Sequence, residues 1–152
     1  MSSNFERALY WAHDRDGSAV AALMDDLGSG GFQVSDNAMA ALRAIYDSGS
    51  ADESETSATM ARTLVRSGEV VCPHTAVGLH VAEAQKPVPG VPMITLATAH
   101  PAKFPDAVEA ATGLRPALPK RMAGLYDRSE RVTRVENDLA AIQNLIRGKR
   151  AK

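Results

Sequence analysis

Two short stretches concentrate the side chains able to do chemistry: Cys72-Pro73-His74-Thr75-Ala76 and Thr98-Ala99-His100-Pro101-Ala102-Lys103-Phe104. Each pairs a hydroxyl with an imidazole, next to a proline of the kind that opens helices and leaves the first backbone N–H groups free. Donor, acceptor and titratable ring together suit the binding of a polar ligand. The competing reading is structural: Thr75 and Thr98 cap helices, and His74 and His100 satisfy nearby backbone groups. Position alone leaves both open. The remaining candidates are weaker. His13, His74, His80 and His100 lack the i, i+4 spacing of a helical metal pair, and the single cysteine cannot build a zinc knuckle, so no metal site is expected. Gly28-Ser29-Gly30-Gly31 follows a helix instead of a strand and reads as a helix stop rather than a phosphate cradle. Cys72 reads as an inert core thiol unless a base lies close to it.

The elements around these stretches follow from periodicity. Residues 1–67 read as short amphipathic helices joined by Gly-rich turns. Phe5, Leu9 and Ala12 recur behind the candidate caps Ser2, Ser3 and Asn4. Val20, Leu23, Met24 and Leu27 share a face over residues 17–27. Asp36 opens a third helix, striped by Met39, Leu42, Ile45 and Tyr46 and ending near Gly49; Asp52 to Val65 forms a fourth, stopped at Gly68. Glu69-Val70-Val71-Cys72 and Val91 to Ala97 then read as buried strands, with a helix between them that ends before Pro87. A strand, a helix and a second strand in this order predict a parallel βαβ crossover, with Cys72-to-Ala76 and Thr98-to-Phe104 at the carboxyl ends, where open α/β sheets bind ligands. Pro101 is expected to open a helix running to Gly113. A last helix is expected from about Val135 to Arg147, with Val135, Leu139, Ile142 and Ile146 inside.

The expected fold class is therefore α/β: a helix-rich N-terminal half, a small parallel βαβ unit and C-terminal helices. The expected organisation is one unit over 1–152, divided into 1–67 helical, 68–115 βαβα and 116–152 C-terminal helices. Two parallel strands make a poor core, because parallel sheets are normally larger and covered on both faces. The unit is thus expected to be part of a larger three-layer α/β domain.

Composition narrows the function. The 152 residues are 45% hydrophobic and 23% charged, with a net charge of −1, ordinary for a globular domain. One cysteine fits a reducing, cytoplasmic setting, and no apolar run approaches the ~20 residues of a membrane span. Residues 1–60 carry 3 basic and 10 acidic side chains, whereas residues 61–152 carry 14 and 8. Such a split can mark a nucleic-acid tail. Here the basic groups are scattered except for Arg147, Lys149, Arg150 and Lys152, and none of the 7 aromatic residues lies among them to stack bases. Neither nucleic acid nor membrane is expected as a partner.

Three segments together carry a family resemblance: Ser2-Ser3-Asn4-Phe5-Glu6-Arg7, Pro73-His74-Thr75-Ala76-Val77-Gly78, and the run Ala97 to Val108 with its Thr98-to-Phe104 heptapeptide. In order and spacing they resemble the last third of threonine synthases, over essentially the whole chain. The resemblance implies a pyridoxal-phosphate lyase of the tryptophan-synthase-β fold type, which converts O-phosphohomoserine and water to threonine and phosphate. It places Thr98 where the family hydrogen-bonds the pyridine nitrogen of the cofactor. A neutral hydroxyl there tunes the ring's electron demand without forcing protonation. His74, Thr75, His100 and Lys103 would border the same pocket, and Asn4 and Arg7 would shape the substrate side, unless Arg7 is simply a surface residue. One departure is Cys72, which stands where the family usually has aspartate. Another is that the family's Schiff-base lysine, in a Ser-x-Lys-Asp segment, and its Gly-rich phosphate loop both lie upstream. None of Lys86, Lys103, Lys120, Lys149 and Lys152 sits in such a segment. The implied role is the C-terminal part of a threonine synthase, inactive without the remainder of its polypeptide. The alternative is a non-catalytic α/β interaction or regulatory module derived from the same family.

Overall fold

In the computed structural model, residues 3–150 are described, and they fall into two units divided between Arg115 and Pro116. The first unit holds six α-helices: α1 (Ser3–Ala12), α2 (Gly17–Gly28), α3 (Asp36–Arg43), α4 (Glu53–Ser67), α5 (Pro73–Ala84) and α6 (Pro105–Thr112). The second holds α7 (Leu139–Arg150). The expected cap Ser2 and the terminal Lys152 lie outside the described residues.

The helix boundaries follow local chemistry. The Asp16 carboxylate accepts the N–H groups of Ser18 and Ala19 at the start of α2. Its carboxyl is held below the usual value by the Ser18 hydroxyl first and then by those N–H groups. Ser35 caps α3. Asp52 and Glu55 form a reciprocal capping box on α4, with bonds of 2.7 and 2.8 Å. Gly68, at φ 74°, ends α4 in the left-handed conformation that a side chain resists. Two helices are shorter than periodicity suggests. α3 stops at Arg43 and leaves Ile45 and Tyr46 exposed, because Asp47-Ser48-Gly49-Ser50 follows at once and such residues favour turns over helix. Pro101 opens only a single 3-10 turn, Pro101–Lys103. The second proline, at 105, lacks the N–H needed to carry that turn onward, and α6 starts afresh there.

The expected α/β class is overturned. Among the described residues there is no β-strand, and the parallel βαβ unit does not form. Residues 69–72 and 91–98 carry no regular element, as strand-forming sequences would when unpartnered, but they have no ladder. A strand exists only through hydrogen bonds to a neighbour, and residues 92–98 make no backbone bond outside the regular elements. Val91, Met93, Ile94 and Leu96 are accordingly exposed, at 61–75%. Val70 and Val71 instead turn onto the helical core.

That core is small. Met60 of α4, Ala76 of α5 and Val108 of α6 are buried together, flanked by Val70, Val71 and Ala111. α4 packs against both α5 and α6, while α1 packs against α2 and α3 around the fully buried Leu9. On the outside of the α4–α5 pair, Glu83 accepts from Arg62 at 2.7 Å and from Arg66 at 3.2 Å. These exposed pairs hold register more than they add stability.

In the second unit, α7 starts at Leu139, capped by the Asp138 carboxylate on Ala141 N–H at 2.8 Å. Val135 precedes it, and Leu139, Ile142 and Ile146 are exposed instead of inside. The apolar stripe is present as expected, but nothing described covers it.

Met60→Ala is expected to cost about 2–5 kcal/mol by opening a cavity among three helices. Asp52→Ala is expected to cost about 1 kcal/mol. Urea denaturation of the chain checks both, and equal losses would mean that the Met60 cluster is not the core.

Candidate functional site

A cleft of about 570 Å³ runs along α5 beneath the 93–98 segment, and its lining includes His74, Gly78, Val81, Thr95, Leu96 and Thr98. Thr98 is exposed on this wall. Among the described residues its hydroxyl has no intrachain hydrogen-bond partner, so it does not cap a helix here. His74, in the first turn of α5, lines the cleft and stacks at a tilt on Phe104, with ring centroids 4.8 Å apart. Two of the predicted residues thus share one cleft, although the strands expected to bring them together do not form.

The join between the two motifs is Cys72. It is the N-cap of α5 and is fully buried. Its sulfur receives the Thr75 N–H at 3.4 Å and lies 3.3 Å from the Thr75 hydroxyl. Burial by itself pushes the Cys72 thiol up. The Thr75 hydroxyl and the N–H groups of Thr75, His74 and Ala99 outweigh it and hold the thiol below its ordinary value. Cys72 therefore does the helix-capping work open to an aspartate at this position. Thr75 is buried, and its hydroxyl engages Cys72 rather than the cleft.

The other expected residues stand apart from the cleft lining. His100 caps the following turn, its Nδ1 accepting the Ala102 N–H at 3.1 Å. Lys103 is exposed on that turn. Asn4 and Arg7 lie on α1, where Arg7 donates to Asn4 Oδ1 at 2.6 Å. Asn4 lines a different hollow of about 690 Å³, floored by Phe5, Met39 and Leu42 and edged by Arg43 and Asp47.

Sequence reading missed three polar residues of the Thr98 cleft: Asp47, Gln85 and Lys86. Asp47 arrives on the loop after α3, far away in sequence, and no motif marks it. Gln85 and Lys86 follow the last turn of α5, and the 3.6-residue spacing from His74 through Val81 was the available signal. Among the described residues no cluster of His, Cys, Asp or Glu is arranged to hold a metal, and no helix is long and apolar enough to cross a membrane.

A cleft lined by the first turn of a capped helix, with an unpaired hydroxyl on its largely apolar wall, is suited to a small polar ligand. Residues 75–146 match the family model described as "Threonine synthase, C-terminal". The chain is 44% identical to the threonine synthase of Pseudomonas aeruginosa over 148 residues, which cover 96% of the chain and 32% of that protein. It is 34% identical to the threonine synthase of Corynebacterium glutamicum, over 95% of the chain and 31% of that protein. In structure it is similar to PLP-bound threonine synthase from Brucella melitensis, with a TM-score of 0.70 and 44% identity over 97% of the chain and 32% of the other. The chain spans about one third of the length of the relatives it matches.

Because the folded state favours the Cys72 thiolate more than the unfolded chain does, this stabilisation is fully present above the ordinary thiol value and is lost as pH falls through the lowered one. The Tm difference between the native chain and Cys72→Ser is expected to widen from about pH 6 to about pH 9. A difference independent of pH would show that the sulfur stays a thiol throughout.

Proposed function

We propose that this chain is the C-terminal part of a threonine synthase, supplying one wall of an active site that converts O-phosphohomoserine and water to threonine and phosphate with pyridoxal phosphate. The observation carrying the reading is Thr98: an exposed hydroxyl without an intrachain partner among the described residues, on the wall of a largely apolar cleft beside the start of α5.

The residues fit the cofactor on this side. A flat heteroaromatic ring needs an apolar slot and one neutral hydrogen-bonding group for its nitrogen, and the cleft offers Leu96, Val81 and Thr98. Pyridoxal phosphate, when bound, supplies an electron-withdrawing ring to the substrate amino acid. Thr98 would hold the ring nitrogen by a hydrogen bond without imposing a full charge on it. His74, kept in place by Phe104, borders the ring. Thr75 acts through Cys72 by fixing the first turn of α5. His100 and Lys103 lie on the turn that follows Thr98 and border the pocket from outside the cleft lining, and Asn4 and Arg7 shape the substrate side.

The other half of the site belongs to the remainder of the polypeptide. No lysine of this chain occupies a Ser-x-Lys-Asp segment, so neither the covalent attachment of the cofactor nor the proton transfer a lysine performs is available here. The setting we propose is the cytoplasm, in keeping with one free, buried cysteine, and one catalytic domain shared with the upstream polypeptide.

Two measurements test the reading. Mixed with pyridoxal phosphate and O-phosphohomoserine, the 152-residue chain is expected to release no phosphate, and steady release would overturn the assignment. In the full-length enzyme, Thr98→Val is expected to lower kcat by about 10- to 100-fold while leaving the fold intact. An unchanged kcat removes Thr98 from the site.

A further inference from the structure

The segment that carries Thr98 belongs to no regular element, yet it is held against α5 at two points. Near the N-terminus of the helix, the buried sulfur of Cys72 receives the Thr75 N–H and is also faced by the backbone N–H of Ala99, the residue after Thr98. One and a half turns along the helix, Gly78 meets Thr95. A Cβ at Gly78 would lie 3.1 Å from Thr95 Cγ2, tighter than ordinary van der Waals contact. Thr98 falls between these two points and has no bond of its own within the described chain. Its place in the cleft is therefore set by its neighbours.

We infer that Cys72 and Gly78 are positioning residues for Thr98: the buried sulfur that faces the Ala99 N–H and the missing side chain opposite Thr95 together seat residues 95–99 on α5 and set where the Thr98 hydroxyl faces the cleft. The inference rests on the proposed role of Thr98 and deepens it. The sulfur suits the task because it accepts hydrogen bonds at longer reach than oxygen, 3.4 Å to Thr75 N here, and does so while fully buried. The glycine suits it because a methyl group at 78 pushes outward on the segment that α5 supports. Cys72 lies outside the cleft lining, and Gly78 contributes no side chain to it. Both act through the backbone on either side of Thr98, and a displacement of about 1 Å in a group that orients a reacting ligand costs up to about 100-fold in rate.

The test uses the full-length enzyme, with Thr98→Val as reference beside Cys72→Ala, Cys72→Asp and Gly78→Ala. Hydrogen exchange of residues 95–100 is read without cofactor, and the visible absorbance band and kinetics are read with pyridoxal phosphate bound. Cys72→Ala and Gly78→Ala are expected to speed exchange of this segment about tenfold and to shift the band in the direction of Thr98→Val. They are also expected to lower kcat about tenfold with KM within about twofold. Cys72→Asp, which keeps an acceptor at the cap, is expected to restore exchange and band toward the native values. Native exchange and native absorbance in both Cys72→Ala and Gly78→Ala overturn the inference, and so does Cys72→Asp behaving like Cys72→Ala. Should Cys72→Ala fail to fold, Gly78→Ala decides by the same two readouts. If Thr98→Val itself leaves the band and kcat unchanged while the exchange results hold, it is the role of Thr98 that fails and the seating that stands.

Discussion

The burial of Met60 against Ala76 and Val108 is the interaction on which the α4–α5–α6 part of the first unit, and with it the Thr98 cleft, depends. Three helices meet at that point, and two of them, α5 and α6, bracket the stretch that carries Thr98 and His100. The cluster is small, so each member matters. α4 is the best-built helix of the chain, with a capping box at one end and a left-handed glycine at the other, as suits the element on which the others are assembled. Its exposed face adds the Arg62–Glu83–Arg66 group, which ties α4 to α5 without the desolvation cost of burial.

From that core outward the site is assembled by capping rather than by a sheet. Cys72 closes the N-terminus of α5; His100 caps its own turn; Phe104 supports His74. The Cys72 and His100 caps each satisfy a backbone N–H that would otherwise be orphaned at a helix start. The same contacts bring the two chemistry-bearing motifs together, which explains how they can be neighbours without the strand pairing that their sequences suggest. A buried sulfur at a helix start is electrostatically favoured by the N–H groups around it, and this compensates for removing it from water.

Much was legible beforehand. The helices were announced by cap and stop residues next to periodic apolar positions, because capping and amphipathicity are local. The pairing of His74 with Thr98 in one cleft was also legible, since both stand at the ends of extended apolar runs. What misled was the β-propensity of Val70-Val71 and of Val91 to Leu96. Propensity describes what a residue does once it has a partner strand, and the described chain offers none. The same reasoning explains the uncovered stripe of Leu139, Ile142 and Ile146: periodicity marks a face for burial and says nothing about what buries it.

The residue types at 72–76 and 98–104, their order and their spacing sufficed for the resemblance to threonine synthases and made Thr98 a candidate, because hydrogen-bonding chemistry is carried by side-chain identity. Three-dimensional packing alone revealed that Cys72 takes over a helix cap, that Thr75 serves that cap instead of the cleft, and that Asp47 reaches the cleft from a distant loop. Such contacts are set by how helices cross and which backbone groups they leave unsatisfied, and neither is written in a local stretch of residues.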